Sequence, residues 1–197
     1  MPSDATAQPA ALLQTLALTK EFRGVRALSD VSLSVAEGTV HALVGARGAG
    51  KSTVLNLLTG FLAPTSGQIH FRGEDITGRQ PEQIAHLGIA QPFRTTSLVD
   101  QLSVVDHVKL ALARDPRLLL LDEPTAGLGP EDIDGMIALV RRAALGRTVV
   151  LVDHNMRVVA TLADTVTVLH AGRVLAEGSY AQVRHDERVI TAYLGQG

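Results

Sequence analysis

The stretch Gly45-Ala46-Arg47-Gly48-Ala49-Gly50-Lys51-Ser52-Thr53 constrains this chain more than any other. It fits the pattern G-x-x-x-x-G-K-[ST], with Gly45, Gly50, Lys51 and Ser52 at the fixed positions. Residues 39–44 ahead of it are apolar and β-branched and predict a buried strand. Residues 51–59 behind it carry Val54, Leu55, Leu57 and Leu58 and predict a helix that stops at Gly60. Strand, glycine loop and helix together favour a phosphate-binding loop over a ligand-free glycine turn. Glycines let successive backbone N–H groups point inward at a phosphate chain. The helix N-terminus adds its partial positive charge. On this reading Lys51 reaches the β- and γ-phosphates of a nucleotide, and the Ser52 hydroxyl ligates Mg²⁺. Gly48 and Thr53 complete the candidate cofactor-binding set.

At 197 residues one domain is the default expectation, with residues 1–10 as a loose Ala/Pro/Ser tail and 11–197 as the domain. Hydrophobic residues at 46% and charged residues at 19% describe a globular chain rather than a disordered one. Aromatics are only 3%, so Leu, Val, Ala and Ile must build the core. A formal charge of −2 without a long basic run argues against a nucleic-acid partner. The chain has no cysteine, which excludes disulfides and thiolate metal sites. No stretch approaches the roughly 20 apolar residues of a membrane span. The amino end lacks the basic start and apolar run of a secretory signal. A cytoplasmic protein follows, one that meets a membrane only through a partner.

Residues 12–19 and 25–35 predict strands, the second broken at Leu28-Ser29-Asp30, with a turn over 20–24 between them. Phe22 in that turn is open to two readings, a core aromatic or a flat platform for an adenine ring. Glu37-Gly38 reads as a hairpin turn into the strand over 39–44. Short strands are expected over 68–72, 87–90 and 148–152, and helices over 81–86, 104–113, 130–145 and 155–163. Asp75 to Gly78 reads as a loop, and residues 165–176 as a hairpin about Ala171-Gly172. Two short helices, over 179–184 and 186–194, close the chain. The alternation predicts an α/β sheet flanked by helices.

Leu118 to Leu121 is a four-leucine run ending in Asp122-Glu123-Pro124, and reads as a fully buried parallel strand. A carboxylate at such a strand's tip is costly unless it meets a cation or donors. In a phosphate-binding-loop protein Asp122 is placed to hold Mg²⁺, and Glu123 to orient or deprotonate an attacking water. Val152-Asp153-His154 repeats the arrangement, and His154 is placed to meet the terminal phosphate. His41, His70, His86, His107, His170 and His185 lack such placement and receive no role.

Residues 45–53, 118–124 and His154, in this order, resemble the ATPase subunits of ABC transporters. The resemblance runs from about Leu16 to Gly195. Thr19 to Leu28, Thr65 to Ile69, Gly73 to Ile76 and Ile190 to Gly195 are similar to the branch that energises branched-chain amino-acid uptake. It implies a P-loop NTPase fold with a mainly parallel central sheet, flanking helices and an antiparallel β layer. It implies Mg-ATP as ligand, with Phe22 stacking on adenine, Lys51 and Ser52 as Walker A ligands and Asp122 as the Walker B aspartate. Glu123 becomes the general base and His154 the switch histidine. It also implies a second ATPase subunit and membrane permease subunits as partners.

The chain departs from that family at four places. The signature sequence Leu-Ser-Gly-Gly-Gln is absent, and only 28 positions (122 − 94) separate Arg94 from Asp122. The segments before and after 109–111 resemble the two flanks of the family's helical subdomain, so an internal deletion is expected there, with the subdomain truncated. Arg94 stands where the family has a metal-sensing Gln. A cation there repels Mg²⁺ by roughly 3 kcal/mol per unit charge at about 5 Å and an effective dielectric of 20, and phosphate oxygens oppose that. Gly129 stands where Asp or Asn is usual, and Ala46-Arg47 replaces the common Pro-Asn. In the family the signature of one subunit covers the γ-phosphate held by the other. Two copies of this chain then bind ATP without completing either site, whereas an intact relative completes one. The function expected is an importer's ATP-binding subunit with impaired or partner-dependent hydrolysis. Against it stand a regulatory nucleotide-binding module without turnover, a small-molecule P-loop kinase, and a deletion product with no stable function.

Overall fold

The computed structural model describes residues 11–92 and 104–194. The tail expected over 1–10 and the departure at Arg94 lie outside the described residues.

The chain opens with β1 (Ala11–Phe22) and β2 (Val25–Ala36), paired antiparallel with Phe22 opposite Val25. The turn is therefore only Arg23-Gly24, not the five residues expected. Arg23 and Gly24 both take positive φ, 48° and 86°, which gives a two-residue turn matched to the right-handed strand twist. β2 is not broken at Leu28-Ser29-Asp30. Asp30 is accommodated at φ 54° within an irregular register against β1, a bulge rather than a break. β4 (Ser66–Phe71) pairs with β1, and β5 (Glu74–Asp75), in a stretch expected to be loop, pairs with β4. These strands form a four-stranded antiparallel sheet in the order β2-β1-β4-β5.

Glu37-Gly38 is not a hairpin turn. It carries the chain from this sheet into β3 (Val40–Val44), which lies in the second sheet. β3 runs parallel to β8 (Thr148–Val152) on one side and β9 (Thr165–His170) on the other. β7 (Leu118–Asp122) is parallel to β8, and β6 (Ile89–Ala90) to β7. β10 (Arg173–Gly178) closes the edge antiparallel to β9, giving the order β10-β9-β3-β8-β7-β6.

Burial follows the two-residue period of these strands. Leu118 and Leu120 point into a core shared with the antiparallel sheet, α1 (Lys51–Leu58) and Ile84 of α2 (Pro81–His86). Leu119 and Leu121 point the other way, against α3 (Val104–Leu112), α4 (Pro130–Ala144) and α5 (Met156–Leu162). A third cluster joins Ala42, Val44, Val166 and Val168 to α6 (Tyr180–Val183) and α7 (Glu187–Leu194). A strand apolar on both faces needs cover on both faces, and here one cover is largely a second sheet. α3 runs unbroken through 109–111, with Ala113 N–H donating to Lys109 C=O at 3.0 Å.

Candidate functional site: the cleft at the carboxyl ends of the parallel strands

β3, β8 and β7 are parallel neighbours, so residue 45, residue 153 and residue 123 leave the sheet at the same edge. In open α/β sheets that edge is where ligands sit. A cleft of about 570 Å³ opens there, lined by Arg47, Gly48, Lys51, Ser52, Thr53, Glu123 and His154, with Ala27 and Gly50 completing the wall.

The loop 45–50 owes its shape to close approaches. A Cβ on Gly45 would lie 2.3 Å from the Leu169 carbonyl oxygen, and one on Gly50 would lie 2.5 Å from Leu28 Cδ2. Both positions must be glycine for the loop to rest on β9 and β2. The β9–β10 turn buttresses it: Gly172 N–H donates to Ala49 C=O at 3.1 Å, and Ser29 N–H to Gly172 C=O at 2.8 Å. Gly50 caps α1 without a side-chain acceptor, and the first turn of α1 holds no acidic residue. The amides at that helix start are thus served by no side chain, which suits a phosphate.

Lys51 is 6% exposed, and its ammonium donates to Gly45 C=O at 2.7 Å and Ala46 C=O at 3.0 Å. Burial holds its pKa below the ordinary lysine value, against the opposing pull of the Glu123 and Asp122 carboxylates. A desolvated cation drawn across the mouth of a glycine loop gains from an anion beside it. Ser52 is exposed at the cleft. Asp122 is half-buried at the end of β7 and is the last residue of its ladder, opposite Val152. No cluster of three His, Asp or Glu is found among the described residues. A hydroxyl and one carboxylate, with water and phosphate oxygens, still fit Mg²⁺, which binds through one or two protein ligands plus substrate phosphates.

Glu123 and His154 meet across the cleft, Oε1 to Nε2 at 2.7 Å, with both side chains about half exposed. Sequence reasoning placed them on separate strand tips, and adjacency of β7 and β8 brings them together. It missed Asp153 and Thr125, which tie the two loops beneath them. The signal was available in Asp153, a carboxylate directly after the four apolar residues Val149 to Val152. It also gave Arg47 no part in the cleft. Phe22 is not brought to the cleft wall. It is 41% exposed at the tip of the β1–β2 hairpin, with Lys20 Nζ 5.1 Å from its ring centre.

Fold and site together define a P-loop NTPase. The family described as "ABC transporter" matches residues 28–110, and "Branched-chain amino acid ATP-binding cassette transporter" matches residues 173–197. The high-affinity branched-chain amino acid transport ATP-binding protein BraF of Pseudomonas aeruginosa is 30% identical, over 94% of this chain and 98% of its own length. LivG of Escherichia coli K12, a protein of the same description, is 28% identical over the same shares. A nucleotide-free ATP-binding cassette from an ABC transporter superposes with a TM-score of 0.84 at 24% identity, covering 93% of this chain and 98% of that one. The ADP conformation of the cassette MJ1267 gives 0.83 at 25%, covering 94% and 99%. This chain belongs to the ATP-binding family of ABC transporters. The match to BraF spans 250 positions against a chain of 197, so at least 53 (250 − 197) have no counterpart here.

Proposed function

We propose that this chain is the ATP-binding subunit of an importer for branched-chain amino acids or similar solutes, and that its hydrolysis depends on a second, intact ATPase subunit. The relatives BraF and LivG supply the solute class, as does the match at the carboxyl end. The observation that carries the reading is one cleft lined by Lys51, Ser52, Glu123 and His154, in a chain without a Leu-Ser-Gly-Gly-Gln sequence. The 53 or more unmatched positions support an internal deletion. So does the end of one family match at residue 110, beside the expected join.

In this reading the loop amides of 45–50 and the α1 N-terminus bind the phosphate chain, with Gly45, Gly48 and Gly50 giving the backbone its path. Lys51 turns its ammonium from the Gly45 and Ala46 carbonyls toward the β- and γ-phosphates. Ser52 and Asp122 hold Mg²⁺, which when bound supplies charge neutralisation at those oxygens. Thr53 lines the same cleft, and Phe22, exposed at the tip of the β1–β2 hairpin, stacks on adenine. Glu123 orients and deprotonates water, and His154 holds the Glu123 carboxylate in place. Since the Leu-Ser-Gly-Gly-Gln sequence is absent from this chain, a partner's signature helix covers the far side of the terminal phosphate. A peripheral position on the cytoplasmic face of a membrane, through permease subunits, follows from the same reading. Among the described residues no helix is long and apolar enough to cross a membrane.

Calorimetry with Mg-ATP on wild type and Lys51→Ala tests binding, and steady-state ATPase alone and with a full-length relative tests turnover. The expected result is binding lost in Lys51→Ala and hydrolysis only in the mixed assembly. Robust turnover by this chain alone, abolished by Glu123→Gln, refutes partner dependence; no Mg-ATP binding refutes the whole reading. Binding with no hydrolysis beside any partner leaves the regulatory module instead.

A further inference from the structure

Asp153 is a carboxylate only 3% exposed, and it belongs neither to the loop 45–50 nor to the Glu123–His154 pair. Its oxygens accept from two segments. Thr125 Oγ1 lies 2.7 Å from both Oδ1 and Oδ2, and Thr125 N–H donates to Oδ2 at 3.3 Å. Asn155 N–H donates to Oδ1 at 2.8 Å, so the carboxylate braces the chain on both sides of His154.

The β7–β8 ladder ends at the pair Asp122 and Val152, extended by one bond from Glu123 N–H to Val152 C=O at 2.7 Å. Beyond it Glu123 stands at φ 49°, a left-handed conformation that is strained for a non-glycine residue. Such a residue persists only where its surroundings over-determine it. Ala126 N–H donating to Glu123 C=O at 3.0 Å is one restraint. The bonds from Thr125 to Asp153 are the other, and they alone among these join the Glu123 loop to the residue before His154. Pro124 between Glu123 and Thr125 is buried and has a fixed φ, so it adds no free joint. The result is a closed ring: Glu123, Pro124 and Thr125, across to Asp153, along to His154, and back to Glu123.

We propose that Asp153 and Thr125 form a positioning clamp that sets Glu123 against His154 and holds both at the mouth of the cleft. Both residues act through others and touch no ligand. The clamp serves the Mg-ATP site inferred above and rests on that reading for its purpose, though its geometry is testable without nucleotide.

Thr125→Val removes the hydroxyl at constant shape, and Thr125→Ser keeps it. Nucleotide-free crystal structures of both are expected to show the 2.7 Å contact between Glu123 and His154 lost in the first and kept in the second. Mg-ATP affinity is expected to stay unchanged in both, since the Lys51 loop is untouched. Turnover beside a full-length relative is expected to fall by about 100-fold in Thr125→Val at unchanged KM, the scale of an ångström misplacement of a reacting group, and to return in Thr125→Ser. A Thr125→Val crystal that keeps the contact, or a Thr125→Ser protein no better than Thr125→Val, overturns the clamp. If Thr125→Val does not fold, Asp153→Asn, which keeps the volume, is judged by the same distance. Failure of the wild type to bind Mg-ATP removes the proposed function, while the crystallographic distance still decides the clamp.

Discussion

Gly45→Ala separates what the loop owes to glycine's freedom from what it owes to its neighbours. A Cβ there would sit 2.3 Å from the Leu169 carbonyl oxygen and 3.1 Å from Ala49 Cβ. The first contact is against backbone, so β9 or the loop must retreat by about 1 Å to restore van der Waals distance. β3 pairs with β9 through Val44 and Val168 immediately beside this point, so the retreat strains the ladder. Losing one ladder hydrogen bond with its partner left buried costs about 1–3 kcal/mol. The unfavourable φ of 155° adds about 1–2 kcal/mol. The sum is about 2–5 kcal/mol, and at about 2–4 °C per kcal/mol for a chain of this size Tm falls by about 4–20 °C. The control is Gly146→Ala, where φ is 70° but nothing lies within 4 Å of the new Cβ. There only the left-handed conformation is penalised, by about 1–2 kcal/mol, and Tm falls by roughly 2–8 °C. Differential scanning calorimetry of the two variants, followed by Mg-ATP titration, completes the test. Gly45→Ala is expected to lose most of its nucleotide affinity and Gly146→Ala none. Equal melting shifts in the two variants, or full affinity in Gly45→Ala, would refute the steric argument.

Three further outcomes are expected. His41 is 2% exposed, with Nε2 2.8 Å from Thr167 Oγ1, and burial pushes its pKa below the ordinary 6.5 despite the opposing Glu177 carboxylate. The unfolded chain then binds the proton first as pH drops through 6.5. Stability is complete above that value and falls below it by up to about 1.4 kcal/mol per pH unit; chemical denaturation at pH 8, 7, 6 and 5 measures this, and His41→Gln is expected to remove the step. Arg47 is exposed on the cleft and has no salt bridge among the described residues, so Arg47→Ala is expected to weaken Mg-ATP more than Mg-ADP. The difference is about fivefold by calorimetry, from the roughly 1 kcal/mol of an exposed ion pair. Asn155 caps α5 by accepting from Arg157 N–H at 3.0 Å and Val158 N–H at 3.4 Å, so Asn155→Ala is expected to cost about 1 kcal/mol in urea unfolding.

Local chemistry determined a large part of this molecule directly. The glycine loop, the strand before it and the helix after it follow from Val40 to Leu58 alone, because turn geometry and helix capping act within a few residues. The four leucines before Asp122 and the apolar run before Asp153 announced buried strands for the same reason. What the chain could not declare locally was which strands lie side by side. Glu37-Gly38 looks like any hairpin turn, and only sheet assembly makes it a passage between two sheets. Asp122, Glu123 and His154 were legible as polar tips, but the 2.7 Å meeting of Glu123 with His154 and the Thr125–Asp153 bonds exist only because β7 packs next to β8. Phe22 shows the reverse case, since its place depends on how a hairpin tip lies, and hairpin pairing left it outside the cleft wall. Short-range forces fix the elements, and burial of their two-faced strands fixes the neighbours.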